Sequence, residues 1–286
     1  MKTNTSCIPC FLRQANETLD RINISESEKK VILKAVNEAI SKVPFDKSPP
    51  HIAREIYKVI TSLTGVADPY KKEKDHANKV VLELYSELKE RIAKADDPLF
   101  EALRLAAIGN IIDLGAKSSF NLEDELREDL NTKFKIFDFE DFKKGLDKAQ
   151  SILYISDNTG EIVFDKLLIE EIKKPVVLAV RGKPAINDAT LEDALDCGLD
   201  EVAKVISSGS DGPAAILDSC SKEFLDIFNT ADFIISKGQG NFEELCDRDE
   251  DIFFIFKAKC PAVAEHLGVD VGDMILSYKT HKKNEN

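Results

Sequence analysis

One stretch, residues 151–190, constrains the fold more than any other because it alternates short apolar runs with polar loops. Residues 152–155 and 176–180 are apolar throughout, which is typical of strands buried on both faces. Between them, apolar residues recur at helical spacing over 162–172. The stretch therefore predicts a strand, a helix and a second strand that lies parallel to the first.

Polar side chains follow both predicted strands. Asp157 and Asn158 come directly after the first strand, and Asp188 lies in the loop after the second. Ligands bind outside the carboxyl ends of strands in a parallel sheet, so we expect these side chains to converge on one crevice. Two carboxylates and an amide oxygen suit a hard divalent cation such as Mg²⁺ or Mn²⁺. The alternative is that Asp and Asn serve here only as turn and helix-capping residues.

The same rhythm continues to the end of the chain. It predicts an α/β fold with a doubly wound, mostly parallel sheet. Further strands are expected at 202–206, 233–236 and 252–256, with a shorter β-like run at 134–139, and helices at 140–149, 189–195, 216–228, 242–246 and 261–267.

The N-terminal part of the chain is helical by its pattern, from residue 7 to about residue 115. Ser25 and Glu28 have the spacing of a capping box, and Pro49 opens a later helix. The expected domains are a helical domain over 1–118 that caps the site, a connecting segment over 119–150, and an α/β metal and phosphate domain over 151–286.

A polar pair, Asn110 and Asp113, interrupts the last apolar helix of that domain. The two residues are three apart and share one helix face. They are either hydrogen-bonded within the core or they face a site. If the helical domain caps the crevice, the pair is expected to contact the substrate.

A third polar loop, SKGQGN, follows the predicted strand at 233–236. Gly238 and Gly240 let main-chain N–H groups approach an anion, Asn241 is expected to cap the next helix, and Lys237 supplies a positive charge. The spacing is neither that of a Walker loop nor GxGxxG. A tight turn is the alternative, and the neighbouring Asp/Asn crevice favours a phosphate site.

The charge of the chain limits its partners. A net charge of −13 repels a nucleic-acid backbone, so phosphate handling needs a local cation or a metal. No apolar run approaches the roughly 18 residues of a membrane span, and the N-terminus lacks an apolar signal core. We expect a cytoplasmic protein without a nucleic-acid or membrane partner.

Cys7 and Cys10 form a CxxC pair near the N-terminus. A structural zinc site usually needs a second pair, and the other cysteines are scattered. A redox pair is expected beside a βαβ unit, whereas a helix follows here. The favoured interpretation is a structural or incidental role, with a redox pair or a partial metal site as alternatives.

Seven segments together resemble the damage-control phosphatase family, long called domain of unknown function 89. The CxxC start resembles its CxxC-bearing subfamily, which is common in archaea, and the resemblance covers nearly the whole chain. The segments are CIPCFLRQA, DPYKKEKDHAN, GNIID, SDNTGEIVFD, VRGKPAINDAT, SGSDGPA and ISKGQGNFE.

The resemblance implies a helical N-terminal domain over a Rossmann-like α/β domain. It also implies a divalent metal, Mn²⁺, Mg²⁺, Co²⁺ or Ni²⁺, and hydrolysis of phosphate monoesters such as sugar phosphates or damaged phosphometabolites. The family's metal ligands fall on Asp157, Asn158 and Asp188, and its phosphate-binding lysine falls on Lys237. Substrate contacts are implied for Asn110, Asp113, Glu161 and Arg181.

Two points of chemistry follow from the same residues. The nucleophile is a water or an aspartate, and water is favoured because Thr159 stands where a phospho-aspartate hydrolase of the DxD type has its second aspartate. Glu161 is then the candidate base. The alternatives to an enzyme of this kind are a small-molecule-binding module on the same fold and a carboxyl methyltransferase, an activity described for a eukaryotic branch of the family. The chain has no glycine-rich methyl-donor loop after the strand at 152–155.

Overall fold

The protein is described by a computed structural model that covers residues 1–109 and 132–278. Its N-terminal part is helical as predicted, and the capping box at the start of the second helix is present. None of the described helices is both long and apolar enough to cross a membrane. The helices are α1 (Ile8–Asp20), α2 (Glu26–Ile40), α3 (Pro49–Thr64), α4 (Lys71–Ala93) and α5 (Pro98–Gly109).

Among the described residues, a seven-stranded sheet forms the second part, in the order β1-β7-β6-β5-β2-β3-β4. All neighbouring strands are parallel except β6 and β7, so the predicted α/β fold with a mostly parallel sheet is confirmed. The strands are β1 (Phe134–Phe137), β2 (Ile152–Ile155), β3 (Val176–Val180), β4 (Lys204–Ser207), β5 (Phe233–Lys237), β6 (Ile252–Lys257) and β7 (Met274–Tyr278).

Helices cover both faces of this sheet, as expected when crossovers join parallel strands. They are α6 (Phe139–Lys148), α7 (Glu161–Ile172), α8 (Leu191–Asp196), α9 (Lys222–Thr230), α10 (Gln239–Leu245) and α11 (Pro261–Leu267).

Two elements differ most from the predictions, and a third, the helix α10, begins three residues before the predicted 242. The strand β7 was not predicted; it is a short, buried run that pairs antiparallel with β6 and parallel with β1. The predicted helix at 216–228 is wrong in its first part, because α9 begins only at Lys222. The Ser221 side chain accepts a hydrogen bond from the Phe224 N–H at 3.1 Å and caps α9 there.

Three apolar clusters hold the described chain together. One lies between α1, α2 and α3, and the other two lie on opposite faces of the sheet. The helices α4 and α5 contribute to a sheet cluster rather than to the first one. The predicted division into domains at 118 and 150 stays a prediction, since its first boundary falls outside the described residues.

Candidate functional site

The two polar loops predicted to converge do meet at one edge of the sheet. β2 and β3 are neighbours, so the loops that follow them lie side by side. Asn158 and Asp188 form an isolated antiparallel bridge, and the Ala189 N–H donates to the Asp157 carbonyl at 2.8 Å. Backbone pairing between the loops thus brings Asp157, Asn158 and Asp188 together.

Arg181 joins the two aspartates from beneath. Its Nε donates to Asp188 Oδ2 at 2.5 Å and one terminal nitrogen donates to Asp157 Oδ1 at 3.2 Å. The other terminal nitrogen donates to the Ser156 carbonyl at 3.1 Å. The guanidinium is fully buried and all three nitrogens contact the protein. Its predicted contact with a substrate stays a prediction.

The surroundings of the two aspartates disfavour their ionised forms. The pKa of Asp157 is raised to about 8, mainly by burial and also by the neighbouring Asp188 and Glu161. Arg181 and Lys259 oppose this rise. Burial also raises the pKa of Asp188, against the pull of Arg181. Buried carboxylates that repel one another are stabilised by an added cation.

The donor set fits a hard divalent cation. Asp157, Asn158 and Asp188 offer carboxylate and amide oxygens, which Mg²⁺ and Mn²⁺ prefer. Within 1–109 and 132–278, no cluster of three or more His, Cys, Asp or Glu side chains has metal-ligand geometry. An ion at this place would therefore take the two aspartates, the Asn158 amide and further oxygens from water or substrate.

Lys237 lies behind these residues and not in the open crevice. Its ammonium donates to the Ala106 carbonyl at 2.8 Å, to Glu161 Oε1 at 2.8 Å and to Asp165 Oδ1 at 2.5 Å. Glu161 Oε2 in turn accepts from Asn158 Nδ2 at 3.1 Å. The structure therefore joins Lys237 to the aspartate site through Glu161. The predicted contact between Lys237 and phosphate is not tested by this geometry.

Both glycines of the third loop permit close approaches. A Cβ atom on Gly238, whose φ is +82°, would lie 2.0 Å from Asp157 Oδ2, so a side chain there would displace the aspartate. A Cβ on Gly240 would lie 2.5 Å from the Pro213 carbonyl oxygen. The loop after β5 is thus packed directly against the loop that carries Asp157.

Asn241 does not cap the following helix, which corrects the sequence prediction. α10 begins at Gln239 with Gly238 in the cap position, so Asn241 lies within the helix and is buried. Its Oδ1 accepts from the Ala215 N–H at 2.8 Å, and its Nδ2 donates to the Ser156 and Lys237 carbonyls. Asn241 ties three loops together, while its predicted substrate contact stays a prediction.

The aspartates open onto a cleft of about 540 Å³ between the helical part and the sheet. Such a volume suits a small metabolite. The sheet side contributes Asp157, Asn158, Asp188 and Gly240, and the opposite wall comes from α1, the start of α3 and Tyr70. The helical residues of that wall include Cys7, Cys10, Phe11, Gln14, Glu17, Pro49, Pro50 and Ala53.

Two charged residues on the sheet side of the cleft were not assigned from the sequence. Lys259 follows β6, lies exposed on the cleft and is close enough to Asp157 to lower its pKa. Glu243, on α10, lines the same cleft, and burial raises its pKa to about 7. Asp157 and Asp188 were located because ligands bind outside the carboxyl ends of parallel strands, and the same reasoning applies to Lys259. No sequence signal pointed to Glu243.

Comparison with known proteins shows the family to which the chain belongs. The sequence model of the damage-control phosphatase ARMT1-like domain matches residues 3–275, nearly the whole chain. The chain belongs to this damage-control phosphatase family. The match spans both aspartate loops, the loop after β5 and the helical wall.

Individual relatives are similar over almost their full length. An uncharacterized protein of Methanocaldococcus jannaschii is 42% identical, with 96% of this chain and 95% of that protein aligned. A damage-control phosphatase of Pyrococcus horikoshii is 35% identical over 96% and 97%, and one of Archaeoglobus fulgidus is 33% identical over 96% and 98%. The crystal structure of a domain of unknown function 89 family protein from Pyrococcus horikoshii superposes with a TM-score of 0.91 at 33% identity, covering 98% of this chain and 99% of that one.

The CxxC pair of this family member lies on the cleft wall. Cys7 and Cys10 are free thiols, both half-buried, and the Cys10 sulfur accepts from Arg13 at 3.4 Å. Burial raises the pKa of Cys10 in spite of Arg13. Cys260, from the sheet side, lines the same cleft. The structural or incidental role of the pair stays a prediction.

The predicted substrate contacts of Asn110 and Asp113 lie outside the described residues. The described part of α5 reaches Gly109, whose backbone packs against the Phe164 ring of α7.

Proposed function

We propose that this chain is a metal-dependent phosphatase that hydrolyses phosphate monoesters of small metabolites, such as sugar phosphates or damaged phosphometabolites. The observation that carries the proposal is the convergence of Asp157, Asn158 and Asp188 on a cleft that also presents Lys259. Membership of the damage-control phosphatase family and the names of two relatives support the reaction.

Asp157, Asn158 and Asp188 are the residues that would hold the ion, with Mn²⁺, Mg²⁺, Co²⁺ and Ni²⁺ as candidates. A bound divalent ion would supply positive charge next to the phosphoryl oxygens, where charge develops during transfer. Arg181 holds the two carboxylates from below, so their remaining oxygens are fixed in direction before a ligand arrives.

Lys259 is the residue proposed to hold the non-bridging oxygens of the phosphate on the side opposite the metal ion. It is exposed on the cleft, so its ammonium reaches a ligand without leaving a buried partner. Gln239 and Gly240 also line the cleft, and they open α10, where N–H groups have no partner within the helix. The lysine and these backbone groups together would orient the phosphate.

A water is the proposed nucleophile. Its oxygen attacks phosphorus, the ester P–O bond breaks, and the alcohol leaves with a proton while inorganic phosphate forms. Glu161 is the base expected from the sequence. It lies just behind the cleft, where its oxygens contact Lys237 at 2.8 Å and Asn158 at 3.1 Å, so it would accept the proton of the water only in exchange for one of these bonds. Thr159 stands at the position where a phospho-aspartate hydrolase would need an aspartate.

The remainder of the substrate would lie against the helical wall. Gln14 offers a polar group there, and the rings of Phe11 and Tyr70 offer an apolar surface, since the Tyr70 hydroxyl is bonded to Thr18 at 2.9 Å. The predicted substrate contacts of Asn110 and Asp113 belong to the same proposal. In this arrangement the sheet side performs the chemistry and the helical side selects the substrate.

The test is release of inorganic phosphate from a panel of sugar phosphates, with and without each of the four ions. We expect release only with a metal, loss of release in Asp188→Asn, and normal release in the matched control Asp226→Asn, whose side chain is exposed on α9. Metal-independent release would contradict the metal assignment. Binding of the esters without turnover would favour the binding-module alternative, and binding of a methyl donor would favour the methyltransferase.

A further inference from the structure

A buried charged cluster lies directly behind the aspartate site. It consists of Tyr154, Glu161, Asp165 and Lys237, all at most 2% exposed. The Tyr154 hydroxyl donates to Asp165 Oδ1 at 2.7 Å, and the Lys237 ammonium donates to both carboxylates. None of the four side chains lines the cleft.

Burying this charged cluster lowers the stability of the fold, so its position directly behind the aspartate site calls for a reason other than stability. Taking two carboxylates and an ammonium out of water is unfavourable, and apolar residues of similar volume often serve a core equally well. Asp165 Oδ2 is buried without a hydrogen-bond partner among the described residues. A merely structural core network would be better satisfied than this one.

The geometry connects the cluster to one ligand of the proposed metal. Glu161 and Asp165 lie one turn apart on α7, so they share a helix face that points toward the end of β5 and Lys237. Glu161 uses its other oxygen to accept from Asn158 Nδ2. Asn158 Nδ2 also donates to Asp157 Oδ2 at 2.7 Å. The orientation of the Asn158 amide is thus set by Glu161, and that of Glu161 by the lysine.

The donors of Lys237 are already engaged. An ammonium has three N–H donors, and in this structure they meet the Ala106 carbonyl, Glu161 and Asp165. A direct bond to phosphate would require one of these buried acceptors to lose its partner. Lys259, which is exposed on the cleft, would lose none.

We propose that Asp165 is a positioning residue, which acts through Lys237 and Glu161 to hold the Asn158 amide oxygen toward the metal position. Asp165 holds the Lys237 ammonium in place, and the ammonium in turn fixes the Glu161 carboxylate. Glu161 then accepts from the N–H group of the Asn158 amide and fixes its orientation. The inference rests on the proposed metal-dependent function. It gives Lys237 a role in metal-site geometry, in place of a contact with phosphate.

The test compares three variants with the wild type: Asp165→Asn, Lys237→Met and the control Glu101→Gln. Glu101 is also a largely buried carboxylate, paired with Arg91 where α4 and α5 meet, and it does not line the cleft. Each protein is titrated with Mn²⁺ alone, and at saturating Mn²⁺ the inhibition constant of inorganic phosphate and the kcat and KM of an ester are measured. Thermal melts report folding.

Asp165→Asn and Lys237→Met are expected to weaken Mn²⁺ binding by about 10- to 100-fold, as is usual when a residue supporting a metal ligand is lost. At saturating Mn²⁺, kcat should fall while the KM and the phosphate inhibition constant change little. Glu101→Gln should lower the melting temperature without changing Mn²⁺ affinity.

Two results would overturn the proposal. Asp165→Asn could behave like Glu101→Gln, with a lower melting temperature and unchanged Mn²⁺ affinity, which would make the cluster structural. Lys237→Met could retain Mn²⁺ affinity but raise the phosphate inhibition constant, which would make the lysine a phosphate contact. If Asp165→Asn does not fold, Tyr154→Phe removes only the hydroxyl that supports Asp165, and it should weaken Mn²⁺ binding in the same direction. Wild-type protein that neither binds Mn²⁺ nor releases phosphate would instead refute the proposed function.

Discussion

Two lysines at the ends of neighbouring strands occupy opposite environments. Lys237 is the last residue of β5, is fully buried and meets three protein acceptors. Lys259 lies two residues beyond the end of β6 and is exposed on the cleft. Both lie near the aspartates, but only Lys259 can meet a ligand without breaking buried contacts. The two residues are of the same type, so the difference lies in how deeply each is buried. Lys237 supports the site from inside the protein, whereas Lys259 is open to the substrate.

The register of the two strands produces this difference. Lys237 still belongs to the sheet, so its side chain enters the space between the sheet and α7, where Glu161 and Asp165 lie. Lys259 comes after the chain has left the sheet, where its N–H donates to the Gln239 side chain at 2.7 Å.

The largest effect is expected from removing a carboxylate of the aspartate site itself. Asp188→Asn should lower metal-dependent phosphate release by at least about 10³-fold, because the charge that stabilises the transferring phosphoryl group is lost. The variant should still fold, since Arg181 keeps its bonds to Asp157 and Ser156, with a melting temperature lowered by the loss of one partner of a buried ion pair. Normal metal-dependent turnover in this variant would remove Asp188 from the site.

The next effect concerns stability and should appear for the buried lysine only. Lys237→Met leaves Glu161 and Asp165 buried without their cation, and loss of one partner of a buried pair costs about 3–5 kcal/mol. For a chain of this size, the melting temperature should fall by roughly 10 °C. Lys259→Met serves as the control and should melt with the wild type; equal melting of all three proteins would contradict the contrast between the lysines.

A smaller effect, on catalysis alone, is expected for the exposed lysine. Lys259→Met should reduce kcat/KM by about 10- to 100-fold, mostly through KM, because a charged hydrogen bond to phosphate contributes about 1.5–3 kcal/mol. Lys257→Met is the matched control, since Lys257 ends β6 but does not line the cleft. Unchanged kinetics across several esters in Lys259→Met would show that this lysine does not hold the phosphate.

A pH effect is expected from Glu243, which shares the cleft with Lys259. Burial raises the pKa of this carboxyl from 4.5 to about 7 in the folded protein. The folded state therefore holds the proton more tightly, and this contribution to stability is present at low pH and lost as the pH rises through about 7. Glu243→Gln should accordingly gain melting temperature relative to the wild type between about pH 5 and pH 8. A difference that does not change with pH would show that the carboxyl is not protonated in this way.

The smallest effect is expected at the CxxC pair. Cys7→Ser with Cys10→Ser should keep phosphatase activity under reducing conditions, because the described residues near the pair do not complete a zinc site. Metal content and turnover of the double variant provide the measurement. Joint loss of a stoichiometric metal and of activity would assign the pair a ligand role.

The sheet and the meeting of the aspartate loops were predictable because both depend on local pattern. The runs 152–155 and 176–180 are uniformly apolar and became β2 and β3 at the predicted limits. Their polar ends then had to lie at one edge of a parallel sheet. The fold class is confirmed for the same reason, and the functional assignment of the site residues remains a prediction.

The depth of individual side chains was not predictable from the sequence. Nothing in the local pattern shows that Lys237 meets Asp165, a residue that belongs to another element and was assigned no role from the sequence. The burial of Arg181 between two aspartates was not predictable for the same reason, because its partners lie in other loops. β7 was missed because its short apolar run acquires its partners only when β1 and β6 are placed on either side of it.

Equilibrium titration of the purified protein with Mn²⁺, in the absence of any ester, tests the central claim most directly. The wild type is predicted to bind a single ion per chain at the aspartate site, and the double variant Asp157→Asn, Asp188→Asn is predicted to bind none while retaining the wild-type fold. Retention of that ion by the double variant, with unchanged affinity, would contradict the assignment of Asp157, Asn158 and Asp188 as the metal site and the phosphatase mechanism built on it.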